Sequence, residues 1–169
     1  MRPAEAYDYL VEARGRVFDR VRALPQAQYT RRQPFGLGSI RATLVHMADI
    51  EWWYTSMLEG DPPGSAPFPF RAFSRTGFPP LESAWGDLAG RTRRALGAGA
   101  GWERPIEDRW TTKRWTHGIH TTANGVAVQL LFHEVHHRAQ VMAMLRLLGR
   151  PVQGVDYSLM RWQWTKEHR

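Results

Sequence analysis

Residues 129–149 read QLLFHEVHHRAQVMAMLRLLG, and this stretch decides the fold that the sequence predicts. An α-helix turns about 100° per residue, so side chains three or four residues apart share a face. One face of the predicted helix holds, within about 60°, the following side chains: Val126, Leu130, His133, His137, Val141, Met144 and Leu148. Two imidazoles therefore lie inside an apolar stripe, one turn apart, where two nitrogens can point at one ion.

The length and composition of the chain predict one globular domain. Of its 169 residues, 43% are hydrophobic and 23% are charged, which is enough apolar material for a core. We therefore expect residues 1–169 to form a single domain. The sequence has no cysteine, so any metal must bind through nitrogen and oxygen atoms.

Charge and hydropathy bear on location and partners. The N-terminal stretch MRPAEAYDYLVEARGRVF places charges every few residues, unlike a signal peptide, and no apolar run approaches the ~20 residues of a membrane-spanning helix. We expect a cytoplasmic protein that does not bind membranes. The net charge of +7 comes mostly from arginines, which are spread from Arg2 to Arg169 without a cluster. This dispersal predicts no specific binding of nucleic acid.

Helical periodicity recurs upstream. It predicts a first helix over residues 3–24, a connection at 26–38, and a second helix over residues 39–59 with Ser39 as its N-cap. On the second helix, the face of His46 also holds three apolar side chains within about 40°, namely Ile50, Trp53 and Met57. A third histidine is therefore predicted to lie in an apolar stripe.

Residues 61–80 hold six prolines and four phenylalanines. Proline removes a backbone donor, so we expect a long loop without helix. Loops of this length often cover a site or form a partner surface, and the alternative is simple packing over the helices. A third helix is predicted over residues 81–96, ending at the glycines of residues 97–101.

Between residues 102 and 120, tryptophans and threonines predict a short hairpin or an extended loop. Thr121 or Thr122 is the expected N-cap of the last long helix. After Gly149, we expect a turn and a short helix or irregular tail that packs its large apolar side chains on the helices: Tyr157, Leu159, Trp162 and Trp164. Four helices with short connections predict an all-α four-helix bundle.

Bundles bind metals through side chains that project inward from facing helices. His46 of the second helix and His133 and His137 of the fourth supply three nitrogen ligands and leave positions for water or substrate, which is typical of a catalytic site. One histidine on an apolar face is usually a hydrogen-bonded core residue, but three of them, two at this spacing, favour a metal. His136 points about 100° away from His137, so we interpret it as a flanking residue.

Residues 133–137 also satisfy the HExxH pattern of zinc metalloproteases, in which the glutamate is the general base. Here Glu134 lies about 100° off the histidine stripe, the third histidine lies upstream on another helix, and no downstream ligand motif follows. These features disfavour a metalloprotease.

Two segments resemble the DinB/YfiT-like family: LVHMADIEWWY around His46, and HEVHHRAQVMAMLRLLG. The second is similar to the family's H-x-x-x-H-R-G-Q pattern, with Ala139 in place of the usual glycine, and VDYSLM is similar to the family's ending. The resemblance covers nearly the whole chain. It implies an up-down-down-up four-helix bundle, usually a homodimer, and a divalent metal (zinc, nickel, iron or manganese) on His46, His133 and His137.

Family members with a known reaction are mostly metal-dependent transferases or isomerases that use low-molecular-weight thiols such as bacillithiol or mycothiol. The resemblance therefore implies a thiol-dependent transferase acting on a small-molecule substrate. An open metal position can bind a thiol and present it as the nucleophile that a chain without cysteine lacks. It can also activate water, so a metal-dependent hydrolase is an alternative.

Two further alternatives are a non-catalytic metal- or ligand-binding protein of stress responses and, least favoured, a nucleic-acid binder. An open, aromatic-lined pocket beside the metal would favour an enzyme.

Overall fold

The computed structural model describes residues 2–98 and 101–166, and it is mostly helical. Its elements in chain order are α1 (Pro3–Arg22), α2 (Gln26–Tyr29), α3 (Ile40–Glu59), a 3-10 helix (Pro69–Arg75), α4 (Phe78–Gly97), β1 (Pro105–Thr111), β2 (Thr116–Thr122), α5 (Ala123–Leu147) and α6 (Tyr157–Arg161). The expected helical fold is confirmed, but it is not all-α, because β1 and β2 form a small antiparallel sheet.

The long helices begin where capping chemistry places them. The Ser39 hydroxyl accepts a hydrogen bond from the backbone N–H of Ala42 at 3.0 Å, so α3 starts as predicted. Thr122 caps α5 in the same way through the N–H of Gly125, at 3.1 Å. α3 ends at Gly60, whose φ of 87° is the left-handed conformation that glycine adopts without strain.

Of the two structures predicted for residues 102–120, a hairpin or an extended loop, the hairpin is observed. All seven residues of β1 pair with the seven of β2. Because successive strand side chains point to opposite faces, Ile106 and Asp108 are buried while their neighbours along β1 are more exposed. Asp108 accepts hydrogen bonds from the indole of Trp53, at 2.7 Å, and from the backbone N–H of Gly64, at 3.1 Å. The hairpin is thereby fastened to α3 and to the segment that follows it.

The proline-rich segment is more regular than the sequence predicts. The 3-10 helix lies within it, and α4 begins at Phe78 rather than at residue 81. The first turn of a helix needs no intrahelical donor, so Pro69, Pro79 and Pro80 are all tolerated at helix starts. The prediction that prolines exclude helix from residues 61–80 was wrong for this reason. The connection at 26–38 likewise contains the single turn of α2.

The C-terminal tail also differs from its prediction. Leu159, Trp162 and Trp164 are 55%, 61% and 64% exposed and do not pack into the core. α6 is only five residues long and buries none of them. Tyr157 alone of the four makes an aromatic contact with α1, where its ring meets Tyr9 edge-on at 5.1 Å. The indoles of Trp162 and Trp164 stack on each other at 6.1 Å instead.

Each long helix packs most extensively on two others. α1 and α3 both pack on α4 and α5, and the 3-10 helix covers part of α3. Two clusters of buried apolar side chains fill the interior, one that includes Trp85 and Met144, the other around Tyr7 and Leu130. Within residues 2–98 and 101–166, no helix combines the length and apolar character needed to cross a bilayer.

A buried carboxylate joins three of these helices. Glu51 of α3 accepts hydrogen bonds from the hydroxyl of Tyr7 and, at 2.6 Å, from the guanidinium of Arg14, both on α1. It also accepts from the indole of Trp85 and the hydroxyl of Thr92 on α4, at 2.8 and 3.0 Å. Four donors on one buried carboxylate satisfy it in place of water.

The same guanidinium reaches the fourth long helix. A nitrogen of Arg14 lies 3.5 Å from a carboxylate oxygen of Glu134 on α5. The guanidinium also lies over the ring of Trp85, 4.3 Å from its centroid. Arg14, Glu51 and Glu134 are all about 5% exposed or less. This buried charge network therefore links all four long helices.

Asp49 fastens the 3-10 helix to α3. Its carboxylate accepts a hydrogen bond from the backbone N–H of Phe70 at 2.7 Å. Burial raises the pKa of Asp49 to about 6, although the Phe70 N–H and the charge of Arg71 act to lower it. The proton-bound form is therefore favoured in the folded protein more than in the unfolded chain.

Removing the buried carboxylate of Glu51 should lower the denaturant concentration at which the protein unfolds. Glu51→Ala leaves Arg14 buried without its closest partner, so we expect a loss of about 3–5 kcal/mol in the free energy of unfolding, measured by chemical denaturation. Glu59→Ala is the matched control on the same helix, because Glu59 pairs with Arg91 at the surface. That change should cost about 1 kcal/mol or less. Similar losses in both variants would contradict the network's role.

Asp49 should give stability a measurable pH dependence. Its folded pKa of about 6 exceeds the ordinary 3.8, so its contribution is full below pH 3.8 and is lost as pH rises through 6. Asp49→Asn keeps an oxygen for the Phe70 N–H but does not titrate. Relative to this variant, wild type should lose about 1–2 kcal/mol between pH 4 and pH 8, after discounting for solvent screening. If the free energies of unfolding of wild type and Asp49→Asn differ by the same amount at pH 4 and at pH 8, this prediction is wrong.

Candidate metal centre

The three predicted histidines meet between α3 and α5. Nε2 of His46 lies 3.1 Å from Nε2 of His133, and the ring centroids of the three pairs are 5.0, 4.8 and 4.4 Å apart. One nitrogen from each of His46, His133 and His137 lies within 4.8 Å of the others. In the part of the chain that the structure describes, this is the one group of three such side chains that could hold a metal ion.

The spacing of these nitrogens suits a metal. Zinc binds imidazole nitrogen at about 2.0–2.1 Å, and tetrahedral geometry then puts two ligand nitrogens about 3.3 Å apart. The 3.1 Å between the Nε2 atoms of His46 and His133 is close to that value. The nitrogen of His137 lies within 4.8 Å of both, so it has to approach them by at most about 1.5 Å to complete the set. The residues present therefore fit a divalent ion with nitrogen ligands.

The imidazoles are in the protonation state that binds metal. Burial lowers the pKa of all three, and for His133 it does so to about 3, with further lowering by the neighbouring imidazoles of His137 and His46. At neutral pH, each ring is thus uncharged and has a lone pair on one nitrogen.

Gln140 orients His137. Its side-chain oxygen lies 2.9 Å from Nδ1 of His137, so Nδ1 carries the hydrogen and donates it, which leaves Nε2 free for an ion. The side-chain nitrogen of Gln140 donates to Nε2 of His136 at 3.0 Å. His136 is exposed and flanks the cluster, as its position on the helix predicts. Gln140 was not among the predicted site residues, although its spacing of three residues from His137 is a signal for such a contact.

Gly36, in the connection between α2 and α3, lies against Gln140. Its φ is +59°, and a side-chain carbon there would lie 3.0 Å from the side-chain oxygen of Gln140 and 3.2 Å from the methyl of Met144. The positive φ favours glycine, and any larger residue would also require the ends of the Gln140 and Met144 side chains to move by a few tenths of an ångström. The connection packs against the residue that orients His137.

Glu134 does not serve the histidine cluster. It is 5% exposed and is directed at Arg14 of α1, within the buried charge network. Burial raises the pKa of Glu134, and the charge of Arg14 opposes this rise. The HExxH pattern is thus present in the sequence, but its glutamate has a structural partner on another helix.

A cavity of about 390 Å³ opens beside His46. Its wall includes Ile50 and Asp49 of α3, together with Phe68 and Arg71 from the proline-rich segment. That segment therefore supplies one wall of the cavity, in line with the predicted covering role. Apart from the cavity, the ring of His133 on α5 meets the ring of Tyr54 on α3 edge-on at 6.0 Å.

Comparison with known proteins identifies the family. No curated protein matches the chain significantly. A model of the DinB family matches residues 1–168, which include all three histidines of the cluster. Because this match spans all but the last residue, the chain belongs to the DinB family.

Proposed function

We propose that this protein is a divalent-metal-dependent enzyme in which His46, His133 and His137 hold the ion and a low-molecular-weight thiol is the nucleophile. The observation that carries the proposal is a group of three uncharged imidazoles, one of which, His46, lines a cavity of about 390 Å³. Three protein ligands leave positions open, which is typical of catalytic sites. The cavity size is at the lower end of the range for small-molecule pockets, about 300–1,000 Å³.

The architecture is part of the same proposal. We propose that α1, α3, α4 and α5 form the up-down-down-up bundle implied by the family resemblance, and that the whole chain is one domain. Support comes from the pairwise packing of the four helices and from a family match over residues 1–168. In this arrangement the two helices that carry the histidines face each other directly.

The chemistry divides between the ion and the protein. A divalent ion held by the three histidines would supply positive charge, which would lower the pKa of a nearby thiol from its ordinary value of about 8.5. Gln140 holds His137 in the tautomer that offers Nε2, while the burial of His133 keeps that ring unprotonated. The apolar side chains of Ile50 and Phe68 on the cavity wall offer packing surface for a substrate. Because the chain has no cysteine, the sulfur nucleophile must come from outside.

A metal-dependent hydrolase with the same centre is the second candidate. The observation that favours it is Asp49, a carboxylate on the cavity wall whose pKa is raised to about 6 by burial. Such a group is suited to act as a general base towards water near neutral pH. A non-catalytic metal-binding protein would not need the cavity.

Loss of any one ligand should empty the metal site. We expect His46→Ala, His133→Ala and His137→Ala each to lower the bound metal at least tenfold, by analogy with the roughly 10–100-fold effects of altering groups that support a metal site. Elemental analysis of the purified proteins measures this directly.

Three other histidines provide controls. His136→Ala should keep wild-type metal content, as should His117→Ala, since that ring stacks on Trp110 in the hairpin. His168→Ala should do the same, although His168 lies outside the described residues. If His136→Ala empties the site and His137→Ala does not, the assignment of helix faces is wrong.

The thiol reaction should depend on metal occupancy. Conjugation of model electrophiles with several cellular thiols, compared between wild type and His133→Ala, should give a rate that rises with bound metal and saturates with thiol. The physical reason is that thiolate, rather than thiol, is the nucleophile. If no thiol supports metal-dependent turnover while an ester, amide or lactone is hydrolysed, the hydrolase assignment replaces this one.

A further inference from the structure

Two arginines from different elements line the cavity beside His46. Arg41 comes from the first turn of α3, and Arg71 comes from the 3-10 helix of the proline-rich segment. Within residues 2–98 and 101–166, neither guanidinium lies within 4.0 Å of a carboxylate. By contrast, Arg22, Arg91 and Arg93 are each paired at the surface. The two cavity arginines therefore have donors to offer to a ligand.

Arg71 is held in place by contacts that leave its N–H groups available. The carboxylate of Asp49 accepts the backbone N–H of Phe70, which fixes the start of the 3-10 helix against α3. The guanidinium of Arg71 lies over the ring of Phe68, 5.1 Å from its centroid. That ring in turn meets Trp52 of α3 edge-on at 6.1 Å. A stacked guanidinium keeps its donors in the plane of the group, where they can reach an oxyanion.

The charge balance of the cavity favours an anion. Its wall carries the guanidiniums of Arg41 and Arg71 against the one carboxylate of Asp49, and an oxygen of that carboxylate is already bonded to the Phe70 N–H. A divalent ion held by the histidine group, of which His46 lines the cavity, would add positive charge. Guanidinium presents a planar fork of donors that matches carboxylate and phosphate oxygens.

We propose that Arg41 and Arg71 form an anion-binding subsite that holds the carboxylate- or phosphate-bearing end of the substrate. The reactive end of the same molecule then lies on the side of the cavity formed by His46. This inference names the substrate class of the proposed enzyme, and it rests on the proposed function for the identity of the reactive end. The two arginines make the expected substrate anionic, and the cavity volume of about 390 Å³ makes it small.

Calorimetric titration of the full-length, metal-containing protein tests the subsite. The probes are mercaptosuccinate, which carries a thiol and two carboxylates, succinate, which lacks the thiol, 2-mercaptoethanol, which lacks the carboxylates, and inorganic phosphate. Arg41→Gln and Arg71→Gln should each weaken mercaptosuccinate and succinate binding about five- to tenfold, because each removes a charge-assisted hydrogen bond. Binding of 2-mercaptoethanol and the metal content should not change. Phosphate binding, weakened by the same variants, would show that the subsite accepts either oxyanion.

The matched control is Arg75→Gln. Arg75 belongs to the same 3-10 helix and is exposed, but it does not line the cavity. This variant should bind every probe within about twofold of wild type, since only long-range screened charge is lost. Equal weakening by Arg75→Gln and Arg71→Gln would overturn the subsite. So would binding that is insensitive to both cavity arginines, or no detectable binding of mercaptosuccinate and phosphate at millimolar concentration.

The outcomes separate this inference from the proposed function. Arginine-dependent binding of succinate without metal-dependent thiol turnover would support the subsite and contradict the thiol reaction. Metal-dependent thiol turnover with arginine-independent binding of mercaptosuccinate would support the reaction and overturn the subsite.

Discussion

The ion pair between Arg14 and Glu51 is the interaction on which the arrangement of the long helices depends. Arg14 bonds to Glu51 of α3 at 2.6 Å and lies 3.5 Å from Glu134 of α5, so one guanidinium joins the two helices that carry the histidines. Glu134 directly follows His133 in the chain. Any shift of α3 against α5 would separate these buried charges and is therefore costly. The 3.1 Å separation between the Nε2 atoms of His46 and His133 is thus tied to the charge network.

The features that local sequence determines were predictable. Helical periodicity depends only on residues within a few turns, which is why the faces of His46, His133 and His137 could be assigned before the structure. The caps at Ser39 and Thr122 follow from side-chain chemistry at a single position, and both are observed. Proximity of the histidines followed from these faces once two helices were assumed to pack together.

The features that tertiary contacts determine were not predictable from pattern. Arg14 and Glu51 are 37 residues apart, and each is a charged side chain that a helical pattern assigns to the solvent. Glu51 is buried because α3 packs on α4, α5 and the 3-10 helix, so more than one of its faces is covered. That Arg41 and Arg71 line the same cavity depends in the same way on where the proline-rich segment folds back.

The HExxH stretch shows why a motif must be interpreted with its helix faces. Adjacent residues on a helix point about 100° apart, so His133 and Glu134 serve different partners. His133 faces α3 and contributes to the histidine cluster, whereas Glu134 faces α1 and meets Arg14. In a zinc protease the glutamate lies near the metal and acts as the general base. Here Glu134 lies instead near the buried guanidinium of Arg14. One short stretch of α5 therefore sets both the geometry of the histidine cluster and the helix packing, which couples the candidate chemistry to the stability of the fold.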